Sequence, residues 1–80
     1  MNEEIKEKIR LLSEQLAESP ENTDLLLERG RLHFQSGNFA AARNDFAVVC
    51  RFVPGQVEAR EWIDHIDSIW AFRYKDIYNP

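Results

Sequence analysis

Cys50, His33, His65, the hydroxyls Ser13, Ser36 and Ser68, and fourteen acidic residues are among the groups in this chain that could carry chemistry. A zinc centre would have to combine Cys50 with both histidines and a carboxylate. His33 and His65 stand 32 residues apart, however, and neither has a second ligand at paired-ligand spacing. Cys50 has no cysteine to pair with and reads as a buried structural thiol. Ser13, Ser36 and Ser68 have no histidine and aspartate in a nucleophile arrangement. The acids recur four residues from lysine or arginine, as in Glu4 with Lys8 and Arg60 with Asp64, which is the pattern of solvated helix faces. Residues 29–46, RGRLHFQSGNFAAARNDF, hold two glycines, but no strand precedes them and no GK[ST] ending comes after, so they form no phosphate cradle. No catalytic constellation, metal site or cofactor site emerges, and the expectation is a protein that is not an enzyme.

Composition narrows the class further. A chain of 80 residues, 44% hydrophobic and 30% charged, suits one small globular domain. The net charge of −4 disfavours a nucleic-acid partner, which needs a clustered basic surface. The longest apolar runs are far too short to span a bilayer, and the start MNEEIKEKIR lacks a signal-peptide core, so no membrane role and a cytoplasmic location are expected.

The elements that must position these residues are all helical. Apolar residues at helical spacing predict helices at about 3–18, 23–36, 38–52 and 57–72, with a tail at 73–80. Ile5, Ile9, Leu12 and Leu16 mark the first, Ala42, Phe46 and Val49 the third, and Ala59, Trp62, Ile63, Ile66 and Trp70 the fourth. Pro20 and Pro54 close helices, Gly37 suits a left-handed C-cap, and Asn38 can cap the third helix. So short a break forces an antiparallel hairpin. Gly30 lies inside the second helix, where glycine costs about 1 kcal/mol relative to alanine. The expected reason is close packing, with Ala42 as the small residue that meets it. The tail FRYKDIYNP is compatible with helix or with extended chain.

The punctuation repeats. Pro20 and Pro54 are 34 residues apart, and at the same offset Ile5 matches Phe39, Leu12 Phe46, Leu16 Cys50 and Leu32 Ile66, while Gly30 matches Asp64. Residues 23–56 resemble one tetratricopeptide repeat, carried here by Leu26, Gly30, His33, Gly37, Phe39, Ala42, Phe46 and Pro54. Arg29 stands where that family has leucine and His33 where it has tyrosine. By position, residues 3–18 resemble the second helix of a preceding repeat and residues 57–70 the first helix of a following one. Asp64 departs from the small residue the pattern calls for, which suggests a solvating cap.

The resemblance implies a fold of four antiparallel helices, an α-solenoid fragment, and a groove lined by the first helices of successive repeats. Carried over, the groove set is Asp24, Leu27, Arg31, Phe34 and Gln35 on the second helix, with Glu58, Glu61, Trp62, His65 and Ile69 on the fourth. The function this implies is protein–protein interaction with a peptide or partner helix, and Leu27 beside Arg31 would suit a partner presenting an acidic group next to an apolar anchor. Leu27 and Arg31 do not match the lysine and asparagine of the subfamily that clamps a C-terminal carboxylate. A rival expectation is self-association as a homodimer. Leu11 and Ala17 stand beside the main stripe of the first helix, and Phe72, Tyr74, Ile77 and Tyr78 add aromatic and apolar surface at the C-terminal end. For the tail, packing back on the domain is favoured over a dimer contact.

Overall fold

Four helices in a row are what the periodicity demands, and the computed structural model has them: α1 (Asn2–Glu18), α2 (Thr23–Gln35), α3 (Phe39–Phe52) and α4 (Val57–Tyr78). It describes residues 2–78, with side chains through residue 72. Among these residues there is no strand, and the fold is all-α. Each helix packs on the next in sequence. The Cα extents of 47 × 33 × 15 Å describe a slab about two helix layers thick, since packed helices lie about 8–10 Å apart.

The breaks are made by local chemistry. At Gly37 the backbone takes φ +86°, which costs glycine nothing. The Gly37 N–H donates to the Phe34 carbonyl at 3.0 Å, and the Asn38 N–H reaches the His33 carbonyl at 2.9 Å. This Schellman arrangement satisfies the last carbonyls of α2. The Asn38 side chain then accepts from the Ala41 N–H at 3.2 Å and starts α3.

The two proline turns are built alike. Asn22 N–H donates to Ser19 O at 3.1 Å, and Gln56 N–H donates to Val53 O at 3.0 Å. Pro20 and Pro54 each hold the second position of such a turn, where a fixed φ is favourable. The Asn22 side chain accepts from Leu25 N–H at 3.2 Å, and that of Gln56 from Glu58 N–H at 3.1 Å. The 34-residue offset therefore holds for the turn bond as well as for the apolar pattern, while the side-chain bonds differ, Asn22 accepting from the third residue on and Gln56 from the second.

Leu16, Leu26, Leu27, Ala42, Phe46, Val49, Ala59 and Ile66 form the buried core. Phe46 is its centre, and full burial of such a ring stabilises by roughly 1.5–3 kcal/mol. Gly30 does mark a close approach, but what it meets is the Phe46 ring, one turn beyond Ala42. A Cβ at position 30 would lie 2.7 Å from Phe46 Cε1.

Two further expectations change. The helix predicted to end at 72 continues to Tyr78. The packing of Tyr74, Ile77 and Tyr78 lies outside the described side chains, while Phe72 is 69% exposed. Cys50 is half-buried against the core, not enclosed by it.

Candidate functional site

Helices α2 and α4 are not consecutive, yet their side chains meet. Phe34 of α2 lies with its ring centroid 4.8 Å from Trp62 and 5.5 Å from His65 of α4, and 4.9 Å from Phe39. Trp62 in turn stacks on the core ring Phe46 at 5.4 Å with the planes 2° apart. Such pairs contribute about 0.5–1.5 kcal/mol beyond area burial. The sequence places them together because 58, 61, 62 and 65 recur on one helical face of α4, as 27, 31 and 34 do on α2.

An ion pair runs across the same face. Arg31 Nη1 donates to Glu58 Oε2 at 2.6 Å, and Trp62 Nε1 donates to the same oxygen at 3.1 Å. These two donors hold the Glu58 carboxyl below its ordinary range, Arg31 first and Trp62 second. Glu58, Glu61, Trp62 and His65 line a shallow pocket of ≈ 270 Å³. An aromatic floor with carboxylates at its rim can receive a cationic or apolar side chain.

The expected groove residues divide. Phe34 and Trp62 are half-buried and mutually packed, Arg31 is exposed and paired, and Asp24, Gln35, Glu61 and His65 are exposed. Ile69 is half-buried on α4. Leu27 is a correction: at 6% exposure it belongs to the core and offers no surface to a partner. Arg31 likewise is not a free cation for an acidic group, because Glu58 already holds it.

A second cluster lies outside the expected set. Asp45 of α3, 2% exposed, accepts from Arg29 Nε at 2.8 Å and Nη2 at 2.7 Å. Arg29 Nη1 donates to Ser13 Oγ of α1 at 3.0 Å, and His33 Nε2 lies 3.9 Å from Asp45 Oδ2. Three helices are thus tied by one guanidinium. The Asp45 hydrogen bond raises the Arg29 pKa, while burial, ahead of the opposing pull of Asp45, lowers that of His33. A signal was available in the sequence. Asp45 has only alanine and valine three and four residues away, so no on-helix base could solvate it. Between α3 and α4, Arg43 grips Asp67 through two bonds of 2.7 and 3.0 Å. On α1 the observed pairs are Arg10 with Glu7 and Glu14, and Glu4–Lys8 and Arg60–Asp64 do not pair among the described residues. No three His, Cys, Asp or Glu side chains among the described residues gather as a metal site, and no helix there is long and apolar enough to cross a membrane.

Fold and face together define a small all-α helical-hairpin protein with a prebuilt aromatic and charged surface on α2 and α4. No family model, curated protein or solved structure matches the chain.

Proposed function

We propose that this chain is a non-catalytic protein–protein interaction module, an adaptor or assembly element of tetratricopeptide type at residues 23–56, working in the cytoplasm. The α2–α4 face supports this reading. Phe34 and Trp62 are held together and Arg31–Glu58 ties the same two helices, so the surface is rigid before a partner arrives. Asp24, Glu58 and Glu61 outnumber Arg31 there. The partner segment, extended or helical, is therefore basic beside an apolar anchor, the reverse of the acidic group expected from Leu27 and Arg31.

Trp62 reports on the site once Trp70 is changed to phenylalanine. A synthetic amphipathic peptide rich in lysine should shift its fluorescence saturably, and Glu61→Lys should weaken binding. If the same peptide with glutamates for lysines binds as well or better, the reading fails. A second reading, self-association, draws on Leu11, 48% exposed on α1, and on exposed Phe72.

A further inference from the structure

The pocket on the α2–α4 face has a carboxylate to spare. Arg31 offsets Glu58 one for one, and Glu61 has no ion pair among the described residues. Both acids line the same pocket of ≈ 270 Å³ with Trp62 and His65. One incoming cation therefore balances it.

Glu58 is satisfied on one side only. Arg31 Nη1 at 2.6 Å and Trp62 Nε1 at 3.1 Å both donate to its Oε2, and no donor among the described residues reaches Oε1. A carboxylate accepts at both oxygens, so Oε1 keeps its capacity for a donor from outside. The two bonds to Oε2 meanwhile hold the group in place.

Lysine and arginine ask different things of such a site. Glu58 and Glu61 stand three apart on α4, a spacing that sets Cβ atoms about 5–6 Å apart. A guanidinium carries five N–H groups in one rigid plane and can offer two carboxylates separate edges, whereas an ammonium is a compact point charge. The rest of the pocket wall is aromatic. Trp62 is fixed against Phe46 with the planes 2° apart, and the His65 ring stands at 71° to it, centroids 6.3 Å apart. A guanidinium lies on an aromatic ring at small cost in hydration, while the more strongly hydrated ammonium keeps its water in a shallow pocket.

We propose that this pocket selects arginine over lysine, the partner's guanidinium bridging Glu58 Oε1 and Glu61 with its plane against the uncovered part of Trp62. This rests on the reading of the face as a site for a basic segment beside an apolar anchor, and it names the basic residue.

Four synthetic peptides test it, alike except at one position beside a leucine anchor, which holds arginine, lysine, citrulline or glutamate. Binding is read from Trp62 fluorescence in the Trp70→Phe chain. The arginine peptide should bind about fivefold more tightly than the lysine peptide, and citrulline, which keeps the shape without the charge, should lose at least as much as lysine. Glu61→Gln, at an exposed position, should weaken the arginine peptide by about fivefold and bring the arginine and lysine peptides within about twofold. Helix content by circular dichroism should stay the same. Lysine binding as tightly as arginine, or a preference undiminished in Glu61→Gln, overturns the arginine assignment and leaves a basic partner standing. Citrulline or glutamate binding as well as arginine overturns the basic-partner reading and this inference with it. No binding by any of the four overturns this inference, and the lysine-rich peptide then decides the reading of the face by itself.

Discussion

Substituting alanine for Gly30 sets helix propensity against packing at one atom. The new Cβ would lie 2.7 Å from Phe46 Cε1, 2.8 Å from Cζ and 3.1 Å from Cδ1. Phe46 has no exposed surface, and its ring is stacked on Trp62, so it has nowhere to swing. Overpacking a filled core costs about 1–3 kcal/mol. Alanine returns about 1 kcal/mol through helix propensity. The net expectation is a loss of about 0–2 kcal/mol, with about 4–8 °C in Tm for each kcal/mol in a domain this size. The net value alone is a weak discriminator, and the stronger one is coupling. Phe46→Leu shortens the side chain that Cβ meets, so Gly30→Ala should become favourable in that background. Urea unfolding of the four proteins should give a coupling of about 1–3 kcal/mol between the sites. If Gly30→Ala stabilises the wild type by its full propensity gain, or the two changes add within about 0.5 kcal/mol, the close approach is not what places glycine here.

The buried cluster gives two further expected outcomes. Asp45→Ala should destabilise by about 3–5 kcal/mol because it strands the Arg29 guanidinium, whereas Ser13→Ala, Arg29→Ile and Asp45→Leu together should be neutral or stabilising, both read from urea midpoints at constant m. Burial holds the His33 pKa below its ordinary 6.5. As pH falls the unfolded chain is protonated first, so stability should decline from about pH 6.5 down to the lowered folded value and then level off. His33→Gln should flatten that decline in urea midpoints taken between pH 7.5 and pH 5, above the range where Glu58 and Asp67 titrate.

Helices and breaks were legible because their causes are local. Pro20, Gly37, Asn38 and Pro54 each act within about four residues, through turn and cap bonds that one segment can make alone. Partnerships between helices were less so. Leu25, Leu26 and Leu27 are consecutive and spread over more than half of the helical circle, so no single apolar stripe assigns Leu27 a side. Because α2 packs on both α1 and α3, the arc it buries is wide enough to take Leu27 in. Spacing puts Arg31 on one face of α2 with Leu27 and Phe34. What spacing could not show is Glu58, 27 residues away, arriving on the same face.

The Arg29–Asp45 pair raises a question that stability does not answer, since a buried ion pair is often no better than the apolar residues that could replace it. Near-repetition supplies a reason. Helices α1 and α3 occupy equivalent places along the 34-residue offset, so α1 seated on the side of α2 that takes α3 is a ready competitor during folding. Leu11 stands 34 positions before Asp45, so α1 seated there would leave the Arg29 guanidinium against a leucine. The cost of one such stranded charge, several kcal/mol, is comparable with half the total stability of a small domain. Correct pairings need only break even for the wrong ones to be excluded. On this argument the charged cluster is kept for what it forbids.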